Sequence, residues 1–274
     1  MTKIEVGFEF RQNPVNRKWV IIAPRRSLRP NIEGGLEPAC PFCPGRESWT
    51  PKEVFRIGHD GKEDSHWEIR VVPNKFPFAP IHEIITHSPD HDGSLFTYNH
   101  EQIKRIFRVY KMRFREYEKK GQVYIFHNHG PGAAESLPHD HTQLAVIPPN
   151  ITLDIPIMGE VENRFKDSRH FILSCPNTSE WPYEVWIIPK NRGRTYGEIT
   201  EEEIDNLAAV YQETLVKMQN FFGVDFSFNH YIYPGGDWYL RLIPRVKVPG
   251  GFELGTGVFV NTVDPKTAAK QLSE

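Results

Sequence analysis

Two long stretches of the chain place hydrophobic residues with the period of an α-helix. In the first, apolar residues recur at steps of three and four positions between Ile103 and Tyr117, which predicts an amphipathic helix. Asn99 and Gln102 have the spacing of a capping box, and Gly121 fits a helix stop. The pattern therefore places one helix between Asn99 and Gly121.

The second stretch repeats the first at an offset of 101 residues. Thr200 and Glu203 form another capping box, and Gly223 follows the apolar pattern. Tyr110 and Tyr211 occupy the same place in the two helices. Two amphipathic helices are common in any α+β protein, but an offset that several landmarks keep indicates two copies of one unit.

Runs of β-prone residues predict strands before and after each helix. We predict an α+β fold with a duplicated unit, in which a mainly antiparallel sheet has helices packed against it. Residues 1–160 are predicted to form the first half and residues 161–274 a degenerate repeat. The predicted strands are Trp19–Ala23, Glu68–Val72, Glu83–Ile85, Val123–Phe126, Glu184–Ile188, Phe226–Asn229 and Tyr239–Ile243.

The five residues 139–143 read His-Asp-His-Thr-Gln and continue into an apolar, β-prone run. On a strand, alternate residues point to one face, so His139, His141 and Gln143 are predicted to share a face, opposite Thr142 and Leu144. The preceding loop 130–136 consists of small residues, which let a ligand approach the backbone closely. This combination suits an attack on phosphorus, although histidines on strands are also common as ordinary hydrogen-bonded core residues.

Composition limits the function classes. The chain has 274 residues, 39% of them hydrophobic and 12% aromatic, and a formal net charge of −2, so no global field recruits nucleic acid or an anionic membrane. No apolar run is long enough to span a bilayer, and residues 1–7 lack the apolar stretch of a signal peptide. A cytoplasmic protein that binds neither nucleic acid nor membrane is expected.

Cys40 and Cys43 have the C-x-x-C spacing that, in a reducing compartment, is typical of metal or redox chemistry. Two thiolates with two imidazoles would select zinc in a tetrahedral site. A redox dithiol is the alternative. Composition alone leaves five histidines as candidates for the remaining ligands: His82, His87, His91, His129 and His139.

Several segments occur in the order of a known family. The chain resembles the galactose-1-phosphate uridylyltransferases of the histidine-triad superfamily, whose His-x-His-x-Gln motif matches residues 139–143. Each of the other segments resembles a motif of this family, and the segments follow one another in the family's order. These segments are 13–20, 24–30, 40–43, 70–76 and 88–91, and, less strongly, 251–253.

The resemblance implies a structural zinc, one per chain, with Cys40, Cys43, His91 and His139 as ligands. It also implies that His141, oriented by the carbonyl of His139, attacks the α-phosphorus of a nucleotide sugar and becomes a nucleotidyl-histidine. Gln143 and Ser136 would stabilise the phosphoryl oxygens. The substrate-binding residues implied by the resemblance are Arg26, Arg29, Asn74, Phe76, Asn128 and Glu253. Phe42 is a further candidate that, with Phe76, would wall the base, although an aromatic residue is more often part of the core.

The match fails in places. The family's additional iron site has a His-x-His in the second half, where only His230 remains, so no iron is predicted. Glu253 keeps a place for contacting the hexose, but Phe259 replaces a family glutamine and Lys75 an acidic residue beside the nucleoside. The segment 251–257 looks more like the ADP-glucose phosphorylase relatives.

Three hypotheses remain open from the sequence. The first is a UDP-glucose:hexose-1-phosphate uridylyltransferase of galactose metabolism. The second is a phosphorylase of ADP-glucose or a dinucleoside polyphosphate, which uses the same intermediate with inorganic phosphate as acceptor. The third is a zinc-stabilised nucleotide or RNA binder in which Trp19, Phe42 and Trp49 stack on bases. The family resemblance also implies a homodimer.

Overall fold

The structure is a computed structural model that describes residues 7–29, 39–58 and 66–274. Residues 1–6 and Pro30, on which part of the N-terminal predictions falls, lie outside this part. The strands are β1 (Glu9–Gln12), β2 (Trp19–Ile22), β3 (Phe55–Gly58), β4 (Trp67–Pro73), β5 (Ile81–Thr86), β6 (Gln122–His129), β7 (His141–Ile147), β8 (Arg164–Asp167), β9 (Phe171–Ser174), β10 (Val185–Pro189), β11 (Phe228–Ile232) and β12 (Leu240–Pro244). The α-helices are α1 (His100–Tyr117), α2 (Glu201–Phe222), α3 (Gly251–Thr256) and α4 (Pro265–Ser273).

Within the described residues, ten strands form one antiparallel sheet in the order β3-β4-β5-β7-β6-β11-β12-β10-β9-β8. Counted inward from the two edges, each strand of the first half occupies the same position as its counterpart from the second half. The two halves join at the centre, where β6 pairs with β11 and Asn128 lies opposite Asn229. The predicted fold class is confirmed, and this symmetric order is what a duplicated unit predicts.

The two long helices cover one face of the sheet and bury matching positions. Each buried position of α1 has a buried counterpart 101 residues later in α2, because both helices present the same stripe to one continuous core. Strand residues Ile125 and Leu144 belong to the same core. The buried α1 positions with buried counterparts are Ile103, Ile106, Phe107, Val109, Tyr110, Arg113, Phe114 and Tyr117.

The helix termini differ in part from the sequence prediction. α2 has the predicted capping box of Thr200 and Glu203 and ends before Gly223, whose φ is +89°. The Asn99 side chain accepts the backbone N–H of Gln102, but the Gln102 amide donates to a distant carbonyl and does not complete the box. The prediction that Gly121 stops α1 is wrong. A Cβ there would lie 2.5 Å from the Ile147 carbonyl oxygen, so this glycine permits a close approach to β7.

Several strand boundaries move by one or two residues. The main correction concerns β7, which begins at His141, so His139 and Asp140 precede the strand. Among the described elements, the sequence prediction missed β1, β3, β8, β9, α3 and α4. β1, β3 and β8 are short, and none of their side chains is fully buried, so their hydrophobic alternation is weak.

The predicted division at residue 160 falls in the connection 148–163 between β7 and β8, and it stays a prediction. The sheet itself runs across both halves. Of the helices in the described ranges, none combines the length and the apolar composition needed to cross a bilayer.

Candidate active site

Strand β7 lies between β5 and β6 and presents two different faces. Thr142 and Leu144 face the helices: Leu144 is in the main core, and Thr142 contacts the Tyr110 hydroxyl of α1. His141 and Gln143 point to the opposite face, where they line a cavity of about 790 Å³. The predicted alternation is found for residues 141–144, whereas His139 precedes the strand and lies against the cysteines. The volume falls within the range typical of ligand pockets, roughly 300–1,000 Å³.

The ring of His141 is held in one tautomer. Its Nδ1 lies 2.9 Å from the carbonyl oxygen of His139, which can only accept, so Nδ1 carries the proton and donates it. Nε2 then has a free lone pair, and none of the described residues hydrogen-bonds to it. Burial lowers the pKa of His141 to about 4, so the ring is neutral at neutral pH. A neutral imidazole with one free nitrogen beside a cavity is a competent nucleophile.

Gln143 is oriented by His82, a residue of β5. The backbone N–H of Phe78 lies 3.3 Å from Nδ1 of His82, so Nδ1 accepts and Nε2 carries the proton. That Nε2 lies 3.0 Å from Oε1 of Gln143 and donates to it. In this tautomer the approach of Asn74 Nδ2 to the same Nε2, at 3.2 Å, is not a hydrogen bond. The Gln143 oxygen is thus occupied, and its NH₂ group remains as a donor.

The cavity gathers most of the predicted site residues. One wall is aromatic. The loop before β7 packs closely against Ser227, because Gly130 has a φ of +78° and lacks a Cβ, which would lie 2.4 Å from the Ser227 side chain. Leu28 and Trp49 are further wall residues that sequence reasoning did not assign to a nucleotide-sugar site. The predicted residues that line the cavity are Arg29, Phe42, Asn74, Phe76, Ser136, His141 and Gln143.

Three predicted residues do not line the cavity. Arg26 donates to the Phe76 carbonyl oxygen at 2.9 Å, and burial beside Arg29 lowers its pKa to about 10. Asn128 is on β6, one step along the ladder from the pair of His127 and Thr142, which places it beside His141. Glu253 lies in α3, where it accepts from the Lys247 ammonium at 2.7 Å.

Four side chains form a compact group next to His141: Cys40, Cys43, His91 and His139, with ligand atoms all within 4.8 Å of one another. Sγ of Cys43 is 3.3 Å from Nδ1 of His91 and 3.7 Å from Nδ1 of His139, and Sγ of Cys40 is 3.6 Å from Nδ1 of His139. With metal bonds of about 2.3 Å to sulfur and about 2.0 Å to nitrogen, a tetrahedron has sulfur–nitrogen edges of about 3.5 Å. The donor set therefore fits a tetrahedral metal ion.

The surroundings of this group support metal binding. Nε2 of His139 donates to the Ser88 carbonyl oxygen at 2.7 Å, which leaves Nδ1 unprotonated and directed at the sulfurs. Burial raises the pKa of the Cys40 thiol to about 11, so a cation is needed to hold it as a thiolate at neutral pH. The neighbouring Asp140 carboxylate is 2.8 Å from Nδ1 of His87, which is not a member of this group.

The other histidine candidates for the metal lie elsewhere. His82 contacts Gln143, and His129 lies 2.7 Å from the Asp225 carboxylate. His87 and His127 form a separate buried group with Asp140 behind β7, and the Nδ1 of His127 donates to the carbonyl oxygen of His141 at 3.0 Å. The sequence could not separate these histidines, because strand register decides which of them meet.

His230 remains from the segment where the family has its iron ligands. It lies buried in the core and shares a hydrogen bond of 2.7 Å with the Tyr211 hydroxyl. Its ring stacks on that of His127, with ring centroids 4.9 Å apart. In the described part of the chain it belongs to none of the groups that could hold a metal.

The symmetric sheet, the oriented His141 and the adjacent Cys2His2 group together define the candidate active site. No family model matches the chain. An ADP-glucose phosphorylase from Arabidopsis thaliana is 26% identical over 97% of this chain and 92% of its own length. A galactose-1-phosphate uridylyltransferase from Thermotoga maritima is 24% identical over 97% of this chain and 98% of its own.

Among solved structures, a crystal structure of an ADP-glucose phosphorylase from Arabidopsis thaliana with bound ADP-glucose matches with a TM-score of 0.75 and 26% identity. The match covers 97% of this chain and 99% of that one. The resemblance predicted from the sequence is confirmed: the chain is similar to galactose-1-phosphate uridylyltransferases and to an ADP-glucose phosphorylase.

Proposed function

We propose that this protein transfers a nucleoside monophosphate from a nucleotide sugar to a phosphate acceptor through a covalent intermediate on His141. The observation that carries this proposal is the Nδ1 hydrogen bond of His141 to the His139 carbonyl, which leaves a neutral Nε2 at a cavity large enough for a nucleotide sugar. The names of the relatives, a uridylyltransferase and an ADP-glucose phosphorylase, support nucleotidyl transfer.

In the proposed reaction, Nε2 forms a bond to the α-phosphorus, and the bond from that phosphorus to the bridging oxygen breaks. Hexose 1-phosphate leaves with the electron pair. A phosphate oxygen of the acceptor then attacks the same phosphorus and releases His141. Throughout, the proton stays on Nδ1 of His141 and is donated in a hydrogen bond to the His139 carbonyl oxygen, which stabilises the positive charge that the ring acquires.

Donors near His141 stabilise the phosphoryl oxygens in this proposal. Gln143 offers its NH₂ group, and Ser136 offers a hydroxyl from the loop. Arg29 lines the cavity and contributes a guanidinium suited to phosphate, with Arg26 packed behind it. The nucleoside is assigned to the pocket formed by Phe42, Asn74 and Phe76, and Asn128 is assigned to the phosphate. The third hypothesis, an RNA binder, gains no support from this arrangement, because an RNA binder needs no oriented nucleophile.

The acceptor separates two candidate activities. A uridylyltransferase of galactose metabolism uses a second hexose 1-phosphate, whereas an ADP-glucose phosphorylase uses inorganic phosphate. Both activities have a relative behind them: a solved ADP-glucose phosphorylase with bound ADP-glucose and a uridylyltransferase each match 97% of this chain. Both activities share the His141 intermediate.

Intact-protein mass spectrometry after separate incubation with UDP-glucose and ADP-glucose tests the proposal. An adduct with the mass of UMP or of AMP identifies the base, and it should disappear when hexose 1-phosphate or inorganic phosphate is added, which identifies the acceptor. The His141→Asn variant should form no adduct. If that variant is still modified, His141 is not the nucleophile; if the wild-type protein forms no adduct with either sugar, covalent transfer from these donors is refuted.

We further propose that the Cys2His2 group holds one structural zinc ion per chain. A bound zinc would link the segment around Cys40 to the residue two positions before the nucleophile and would leave no open coordination position. Elemental analysis should give about one zinc per chain, and Cys43→Ser should lose the metal and lower the unfolding temperature. A protein that is fully stable without metal would contradict a structural role.

The proposed assembly is a cytoplasmic homodimer that binds no nucleic acid. The segment 246–260 supports it: this segment carries large apolar side chains in water, including Val248 at 79% and Leu254 at 75% exposure. Glu253 lies in this segment and outside the cavity of its own chain, so its predicted contact with the hexose is proposed for the cavity of the neighbouring subunit.

A further inference from the structure

We propose that Asn229 and Arg245, both from the second half of the chain, are positioning residues that turn the NH₂ group of Asn128 toward the phosphate bound at His141. This inference rests on the proposed function for the identity of the bound group. Asn128 and Asn229 lie directly opposite each other on the central strands β6 and β11. They are also related by the offset of 101 residues that relates the two helices.

The direction of this hydrogen-bond chain is set by a group that can only donate. Nη1 of Arg245 lies 3.0 Å from the Asn229 side chain, and a guanidinium has no acceptor atom, so the Asn229 atom facing it must be Oδ1. Arg245 is fixed in place, because its guanidinium packs over the Trp181 ring at 4.4 Å and its backbone N–H donates to the Ser227 carbonyl.

A group that can only accept a hydrogen bond confirms this orientation of Asn229. Its Nδ2 lies 3.0 Å from the backbone carbonyl oxygen of Ala133, which can only accept. The same Nδ2 lies 2.8 Å from Oδ1 of Asn128 and donates to it. Both hydrogens of the Asn229 amide are therefore committed, one to the loop that leads toward Ser136 and one to Asn128.

The orientation of Asn229 determines the orientation of the Asn128 amide. Since Oδ1 of Asn128 already accepts from Asn229, the free end of the Asn128 amide is Nδ2, a donor. Asn128 is beside His141 in the sheet, on the same face as Gln143. A donor there stabilises a phosphoryl oxygen that gains negative charge, whereas the amide oxygen would repel it. The second half of the chain thus sets the polarity of a donor in the first.

Two substitutions of Asn229 separate this role from simple packing. Asn229→Asp is nearly isosteric and keeps a partner for Arg245, but it can only accept, so Asn128 must rotate and present its oxygen to the phosphate. Asn229→Leu removes the donor and leaves Asn128 free to take either orientation. If Asn229 positions Asn128, the Asp substitution should lower the transfer rate more than the Leu substitution. If Asn229 only fills space, the Leu substitution should lower it more.

The measurement is the single-turnover rate of nucleotidyl transfer to His141 at saturating nucleotide sugar. We expect Asn229→Asp to lower it by about 10- to 100-fold and Asn229→Leu by about 3- to 10-fold, on the scale of losing one positioned donor, with smaller changes in nucleotide-sugar affinity. Asn191→Asp, which adds the same charge at an exposed position, is the control. In an Asn128→Ala background, Asn229→Asp should add almost no further loss. A milder effect of Asp than of Leu, or full additivity with Asn128→Ala, overturns the inference.

A readout without turnover keeps this test separate from the proposed function. The two side-chain NH₂ protons of Asn229 should exchange with solvent far more slowly than those of exposed amides in NMR spectra, and Arg245→Met should speed this exchange. If the Asn229 protons exchange as fast as exposed ones in the wild-type protein, the positioning chain is absent, whatever reaction the enzyme catalyses. If they are protected but no nucleotidyl adduct forms, the proposed function fails and the assignment of a phosphate at Asn128 fails with it.

Discussion

At the scale of single residues, the side chains around His141 are oriented by neighbouring groups that can only donate or only accept a hydrogen bond. The carbonyl of His139 fixes the tautomer of His141, and the N–H of Phe78 fixes that of His82. His82 then fixes the amide of Gln143. Each of these hydrogen bonds allows the next side chain only one tautomer or amide orientation. A few backbone atoms therefore decide which atoms of the site donate and which accept hydrogen bonds.

We expect His82 to remain a neutral Nε2–H tautomer between pH 5 and pH 8, because burial lowers its pKa to about 3. Long-range ¹H–¹⁵N NMR spectra distinguish the two tautomers. His82→Phe, which keeps a ring but no donor, should lower the nucleotidyl-transfer rate about tenfold and have little further effect in a Gln143→Leu background. An Nδ1–H tautomer in the wild-type spectrum would contradict this orientation of Gln143.

Glu135, in the loop before β7, predicts a dependence of stability on pH. Burial raises its pKa from 4.5 to about 7. Between these values the folded chain binds a proton that the unfolded chain releases, so the free energy of unfolding should decrease as the pH rises through this window.

Urea unfolding at pH 5 and pH 7.5 measures this effect of Glu135. Glu135→Gln should lose this part of the pH dependence, while Glu160→Gln, at an exposed position, should keep it. Equal pH profiles of the wild-type protein and Glu135→Gln would show that Glu135 titrates alike in both states.

At the scale of elements, the periodic segments were predicted well and the short ones poorly. α1 and α2 were found from their apolar spacing because each buries one continuous stripe. The sequence placed the start of β7 at His139, two residues before its actual start at His141. His139 lies outside the strand, with its ring against the Cys40 sulfur. α3 carries one fully buried residue, Glu253, so it offered no apolar period to detect.

One buried ion pair ties α1 to the sheet and predicts a large effect on stability. Arg113 donates to Glu83 of β5 at 2.7 and 2.9 Å, and both side chains are at most 10% exposed. Glu83→Ala should lower the free energy of unfolding by about 3–5 kcal/mol, because it leaves a buried guanidinium unpaired.

The double variant Glu83→Leu with Arg113→Met should recover most of that loss, because replacing both charges removes the desolvation cost. Urea denaturation measures each variant. Glu202→Ala, which breaks the exposed pair with Arg169, is the control and should change stability by less than about 1 kcal/mol. A Glu83→Ala effect of that small size would show that water reaches Arg113.

At the scale of the whole molecule, one sheet joins two related halves, and the second half contacts the strand next to His141. Its Asn229 holds Asn128, and its Arg241 forms a buried pair with Glu184. The two halves were recognised from the offset of 101 residues. The relative placement of the two halves was not predicted, because no local pattern in either copy indicates that β6 pairs with β11.

The exposed apolar segment 246–260 predicts self-association. We expect the protein to sediment as a dimer at micromolar concentration and Leu254→Asp to shift it toward the monomer, because a charge in a buried interface is costly. Val224→Asp, at an exposed loop position outside this segment, is the control and should leave the dimer intact. A wild-type protein that is monomeric at these concentrations would contradict the proposed assembly.

The sequence alone determined the two helices, the repeat and the strand that carries His141 and Gln143, because each of them follows from a local pattern of residues in the chain. Only the tertiary structure decided which histidines meet the cysteines, which one orients Gln143, and how Asn229 and Arg245 reach Asn128. Those contacts join residues on separate strands, and strand order and register are set by the packing of the whole core.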